Sequence, residues 1–232
     1  MSGRRLALWF TGAFALALLL CLPLQLVLPR LSLPPGLSAT GVEGSLWRGR
    51  LRQARWRGAE LGELQLGLSP LPLLAGRQQL WLRGPHLHLA LQGGRMRGID
   101  KAQGVLPLPS PPGLALRASL EDARMRFDAD GCRDAGGRVR IEATLPGDAL
   151  PPLLLSGTPA CDGRSGRIAL LPEASGGPLV LEATLSIEAD GRYALQTLAR
   201  SDDPAIRSAL LAAGFQDAGG GLSRADAGHL AY

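Results

Sequence analysis

Apolar residues at every second position constrain this chain more than any other feature. Leu64, Leu66 and Leu68 alternate in LGELQLGL, and Leu87, Leu89 and Leu91 alternate with His86, His88 and Ala90. The same rhythm sets Ala123, Met125 and Phe127 against Asp122, Arg124, Arg126 and Asp128. It sets Val139, Ile141, Ala143 and Leu145 against Arg138, Arg140, Glu142 and Thr144, and Leu181, Ala183, Leu185, Ile187 and Ala189 against Glu182, Thr184, Ser186 and Glu188. Successive side chains of a strand point to opposite faces, so this period predicts strands with one face buried and one in water. That is the signature of an antiparallel sheet.

The punctuation agrees. Asp130-Gly131 and Asp190-Gly191 separate alternating runs, as hairpin turns do, and Gly93-Gly94 is a third turn candidate. Proline cannot donate to a strand ladder, so VLPLPSPPG, Val105 to Gly113, reads as an extended connector between two halves of the sheet, 36–104 and 114–232. One helix stands out near the C-terminus: Asp203 suits the cap, Pro204 the first turn and Gly214 the end. Asp148 to Leu155, with Pro151-Pro152, carries a weaker helical signal. The expected fold is mainly β: a single N-terminal transmembrane helix, then a long twisted antiparallel sheet with a short C-terminal helix.

The transmembrane segment follows from Leu6 to Pro29, 24 residues without a charge. About 20 apolar residues in a helix cross a bilayer. A cleaved signal peptide usually has a shorter apolar core closed by small residues, and Cys21-Leu22-Pro23-Leu24 is followed by more apolar sequence. Arg4 and Arg5 precede the run and Arg30 follows it, which orients residues 1–5 to the cytoplasm, 6–29 across the membrane and 30–232 to the far side. Residues 31–232 carry 22 basic and 20 acidic side chains, so the net charge of +5 gives no sign of nucleic-acid binding.

Of three cysteines, Cys21 lies in the anchor, while Cys132 and Cys161 lie in the exported part. Exported space is oxidising, which favours a Cys132–Cys161 bridge over two unpaired buried thiols. Catalysis needs a constellation of groups, and none stands out. His86 and His88 share one strand face, but a metal site needs three or four ligands. Asp128, Asp130 and Asp134 resemble part of a calcium loop without its later glutamate, so a hairpin turn fits better. No nucleophile elbow, Walker loop or HExxH motif is present. The expectation is therefore a protein that is not an enzyme, with no catalytic residue, metal or cofactor.

The stretch GVEGSLWRGR, Gly41 to Arg50, follows the apolar run. On local physics Gly41 and Gly44 bracket a turn, and Trp47 is an anchor for core or interface. The order of anchor, V-x-G-S-L-W-x-G-R, a strand-rich stretch ending in PLPLLAGR, a cysteine pair and a helix before DAGGGLSRADAGHL resembles the type II secretion system protein N family, also called general secretion pathway protein N. Gly41, Gly44, Trp47 and Gly49 carry the sharpest part of the resemblance. It implies a single-pass inner-membrane protein with a periplasmic domain, an accessory in exporting folded proteins across the outer membrane, with other secretion subunits as partners. The same front stretch also resembles AsmA/TamB-like inner-membrane proteins, whose sheets form lipid-lined troughs; lipid is the partner on that alternative.

Overall fold

The computed structural model describes residues 9–14, 17, 21–27, 36–56, 58–108, 115–144, 151–174 and 177–229. Sixteen strands form one antiparallel sheet. They are β1 (Leu37–Ser38), β2 (Gly41–Ser45), β3 (Arg48–Trp56), β4 (Ala59–Leu68), β5 (Gln78–Arg83), β6 (Leu87–Gly93), β7 (Arg97–Leu108) and β8 (Ala115–Asp128). The second eight are β9 (Gly131–Thr144), β10 (Leu153–Gly157), β11 (Pro159–Asp162), β12 (Ser165–Pro172), β13 (Val180–Ile187), β14 (Arg192–Arg200), β15 (Gln216–Ala218) and β16 (Gly221–His229). Sequence neighbours are mostly spatial neighbours, so the sheet is a meander with three departures: β3 carries both β1 and β2, β12 carries both β10 and β11, and β16 lies between β14 and β15. Beside it, among the described residues, lie the short helices α1 (Leu24–Val27), α2 (Pro70–Leu74) and α3 (Pro204–Ala212), apart from the helical residues 9–14 and 17.

The alternation translates into faces. Gly49, Leu66, Leu82, Leu89, Ala102 and Ala123 stand opposite one another across β3 to β8. All are buried except Leu89, which is half-buried. One residue along, Arg50, Gln65, Arg83, His88 and Gln103 form the next row, and every one is exposed. The apolar face holds two clusters, one around Leu51, Leu64, Leu66 and Leu82 and one around Ala123, Val139, Leu155 and Leu170; Leu89 packs against both. Each fully buried leucine contributes about 1.5–3 kcal/mol relative to exposure.

The expected turns are present. Asp130 precedes Gly131 between β8 and β9, Asp190-Gly191 joins β13 to β14, and Gly94, at φ 99°, lies between β6 and β7. Helix α3 is capped as expected: the Asp203 carboxylate accepts from the Ala205 N–H at 2.7 Å and from the Ile206 N–H.

Two expectations are corrected. Val105–Leu108 is not connector but the end of β7, paired with β8 from Gly104↔Leu120 to Leu108↔Leu116. The β6 ladder stops at Leu87↔Gly104, so Pro107 sits where β7 has a strand on one side only, and its missing N–H breaks no central ladder. The expected Pro109–Gly113 part of the connector lies outside the described residues. Of the helical expectation over Asp148 to Leu155, residues 148–150 lie outside the described residues, and Leu153 to Leu155 belong to strand β10, not to a helix; alternate β10 residues face the core beside β9, and that tertiary pairing overrides the local signal. Apart from these corrections, the described residues of the apolar run do not form one continuous helix, and residues 6–8, 15–16, 18–20 and 28–29 of the expected span lie outside the described residues. Residues 9–14 and 17 are helical, Cys21 is in a turn and Pro23 makes an isolated bridge to Ser45. Leu24 then begins α1, fully buried on the first apolar cluster. The Leu46 N–H donates to the Leu22 carbonyl, and the Gln25 side chain donates to the Val42 carbonyl at 2.7 Å. Among the described residues no helix is long and apolar enough to cross a membrane.

A seam lies between β10 and β12, which pair at only two positions, Leu155↔Pro172 and Ser156↔Leu171. Side chains staple it. The Cys132–Cys161 disulfide joins β9 to β11 across 29 residues of sequence, with Cα atoms 5.4 Å apart. The Arg140 guanidinium donates to Glu173 at 2.7 Å, from β9 to the segment after β12. On the charged face nearby, Arg126 bridges Asp100 (3.1 Å) and Asp134 (2.5 Å), and Arg124 also reaches Asp134 at 3.1 Å. The hydrogen bond from Arg126 holds the Asp134 carboxyl below the usual carboxylate range, against the opposing effect of burial.

Two outcomes follow. Non-reducing mass mapping finds the Cys132 and Cys161 peptides joined, and C132S/C161S lowers unfolding stability by roughly 3–4 kcal/mol on the chain-entropy estimate; free thiols at both positions contradict the seam. Because the folded carboxyl is depressed, Asp134 stabilises the fold above the ordinary carboxylate range, and this is lost as pH falls through its lowered value. Acid unfolding of D134N is therefore shallower than that of the wild type as pH falls from the ordinary carboxylate range through the lowered value, while the two curves run parallel above it; parallel curves throughout contradict the network.

Candidate functional site

The signature stretch builds one side of a cleft on the charged face. Gly41–Ser45 is strand β2, and the turn of its hairpin is Leu46-Trp47, closed by Ser45↔Arg48, rather than a turn between Gly41 and Gly44. Two consecutive residues in a tight turn diverge: Leu46 is buried in the first apolar cluster, while Trp47 is half-buried and lines the cleft. The Leu46 carbonyl accepts from the Leu68 N–H, which pins the turn over the end of β4.

The glycines are spacing devices. Gly41 pairs with Arg52, and Gly44, at φ 90°, pairs with Gly49. A Cβ at Gly49 would run into the Leu24 side chain, so this glycine admits α1 to the sheet. A fourth glycine, Gly67, has no local signal in the sequence. A Cβ there would strike the Trp47 carbonyl and come within 2.7 Å of the Trp81 ring. Gly67 pairs with Trp81 across β4 and β5, so both tryptophans close in on it from two neighbouring segments.

The cleft encloses about 1310 Å3. Its apolar lining is Trp47, Trp81, Leu68 and Leu73, the last from α2. Arg48, Arg50 and Arg83 supply positive charge, with the Arg83 guanidinium 5.4 Å from the centre of the Trp81 ring. Glu43 lies in the same cleft but is held by Arg52 at 3.0 Å. None of Arg48, Arg50 and Arg83 meets a carboxylate among the described residues, whereas Arg52 and Arg55 on the same strand β3 are each paired.

The other sequence candidates lie elsewhere. Cys132 and Cys161 are at the seam, far along the sheet order from the cleft, and Cys21 is free and exposed. His86 precedes β6 and its carbonyl accepts from Val105; His88 is exposed on β6; His229 ends β16. The three aspartates are neutralised rather than convergent. Asp128 accepts from Arg133 and the Asp130 N–H, Asp130 also pairs with Arg133, and Asp134 is held by Arg124 and Arg126. The Arg133 hydrogen bond keeps the Asp128 carboxyl below the usual range. Among the described residues no group of three or more His, Cys, Asp or Glu could hold a metal ion. The cleft can therefore bind an apolar, anionic group through ring faces and guanidinium donors; it offers no nucleophile–base pair.

Comparison with known proteins covers nearly the whole sheet. The sequence profile of the type II secretion system (T2SS) protein N family matches residues 35–224. A curated relative, type II secretion system protein N of Vibrio cholerae serotype O1, is 30% identical over 208 residues, covering 82% of this chain and 82% of the relative. No solved structure matches. On the extent of that match, from before β1 into β16, the chain belongs to the type II secretion system protein N family.

Proposed function

We propose that this chain is a single-pass inner-membrane accessory of the type II secretion machinery, acting through protein–protein contacts of a periplasmic sheet domain and not through catalysis. The family match over residues 35–224 carries the reading, because it spans the sheet and the cleft together. The anchor is proposed on the part of the uncharged run that precedes Leu22, and rests on that composition and on Trp9, Phe10 and Phe14, which are 77%, 73% and 57% exposed on the helical residues 9–14. Large apolar side chains left so open fit a lipid environment better than water. Since Leu22 to Gln25 dock on β2 and the first apolar cluster, the sheet would be held with its first edge against the bilayer surface, not on a long leash.

A second reading, a lipid-binding trough, draws on the apolar face. The helices lie at β2, β5 and β16, and all eight residues of β13 are half-buried, with Leu181 and Ala183 against the second apolar cluster. A half-open aliphatic face of this kind can hold an acyl chain as well as it can close on itself.

Deleting the gene separates the two. The secretion role predicts that export of folded substrates falls while membrane lipid composition is unchanged, and that the chain resists alkaline extraction from inner membranes with residues 30–232 accessible to periplasmic protease. Normal export with altered lipid composition supports the trough instead.

A further inference from the structure

We propose that the Trp47–Trp81 cleft is the docking site for an extended acidic segment of a partner protein, its carboxylates meeting Arg48, Arg50 and Arg83 and an apolar side chain between them resting on the two tryptophans. The proposal rests on the secretion-machine reading, which makes the occupant a protein.

Charge complementarity is the first support. Many described arginines are paired, Arg52 with Glu43, Arg55 with Glu60, Arg124 and Arg126 with Asp134, Arg140 with Glu173, while Arg77, Arg95, Arg97, Arg117, Arg138 and Arg164 have no ion pair among the described residues; what sets Arg48, Arg50 and Arg83 apart is that they line one cleft together. In the cleft three arginines form no ion pair among the described residues, and the one local acid, Glu43, which stands opposite Arg50 in the β2–β3 ladder, is paired with Arg52. Concentrated, uncompensated positive charge raises the folding cost of the free protein and favours an acidic partner.

Spacing is the second. Arg48 and Arg50 are two residues apart on β3, so their Cα atoms stand about 7 Å apart. Arg50 and Arg83 share a cross-strand row with Gln65 between them, which sets them about 10 Å apart at the usual strand spacing. A single phosphate calls for donors converging on one point. Three cations spread on this scale suit carboxylates at alternate residues of an extended chain, whose own repeat is about 7 Å.

The third is shape. At about 1310 Å3 the cleft exceeds the roughly 300–1,000 Å3 of most small-molecule sites. Tryptophan and arginine are the side chains that most often dominate binding energy at protein interfaces. Gly67 keeps both rings in place, since any side chain there would push Trp81 aside or lift the Trp47 turn. The half-buried tryptophans therefore form a preset platform rather than an incidental exposure.

The test uses the full chain in detergent and a short fluorescent peptide of alternating glutamate and leucine as probe. The glutamate peptide should bind, its lysine counterpart should not, and phosphatidylglycerol vesicles should fail to displace it. Reversing the charges, R48E/R50E/R83E, should weaken the glutamate peptide by roughly tenfold or more and confer binding of the lysine peptide. R48Q/R50Q/R83Q provides a milder variant, and an unchanged melting temperature confirms folding. Absence of glutamate-peptide binding, equal binding by the variants, or displacement by the vesicles would overturn the site, the last by assigning it to lipid headgroups. In cells, R48E/R50E/R83E supplied to a deletion strain should leave export defective at normal protein level. Full rescue of a defective deletion strain refutes the docking site and leaves the secretion role standing; normal export by the empty deletion strain removes the secretion role and the protein occupant with it.

Discussion

Gly49, Leu66, Leu82, Leu89, Ala102 and Ala123 cross six strands in one row, and the row beside it, from Arg50 to Gln103, is wholly exposed. This division of the sheet into an apolar and a charged face governs everything else in the molecule. It fixes register, since a slip of one residue would turn every leucine of that row to water. It also decides where function can reside. The apolar face is used for cohesion, with Leu24 and Leu46 filling its first cluster. On the proposed docking reading, recognition falls to the charged face, where side chains project into solvent from a rigid ladder.

That ladder gives the cleft its precision. Trp47 sits on a two-residue hairpin turn pinned by the Leu46–Leu68 backbone bond, and Trp81 sits in the middle of β5. Both are positioned by strands rather than by a free loop, and each touches the same glycine. The far end of the sheet is built differently. The β10–β12 junction has two paired positions, so the Cys132–Cys161 disulfide and the Arg140–Glu173 pair hold a place where backbone hydrogen bonding is thin.

Much of this was legible in the sequence, for identifiable reasons. The strands around Leu64–Leu68, Leu87–Leu91 and Val139–Ala143 follow from period-2 alternation, the turns at Asp130-Gly131 and Asp190-Gly191 from local backbone chemistry, and α3 from its Asp203 cap. What escaped was non-local. Pro107 enters a strand because β6 ends before it, and Leu153–Gly157 is extended because β9 offers a partner. Bulges at Gln53 and Asp122, both at positive φ, have no glycine to announce them. The cleft itself requires β3, β4 and β5 to be laid side by side before Arg50 and Arg83 become neighbours. Within the signature, V-x-G-S-L-W-x-G-R pointed to Trp47, but the glycine that shapes its platform, Gly67, lies on the next strand with nothing local to mark it.

The most direct test of the two-faced sheet is thiol reactivity in variants that carry one introduced free cysteine in a Cys21→Ala background, with Cys132 and Cys161 held in their disulfide. With Gln65, Leu66, Leu82 and His88 replaced in turn, thiols at 65 and 88 should react rapidly with a water-soluble maleimide and those at 66 and 82 slowly, in step across β4, β5 and β6. Equal reactivity at all four positions, or protection at 65 and 88 with exposure at 66 and 82, would contradict the division of faces.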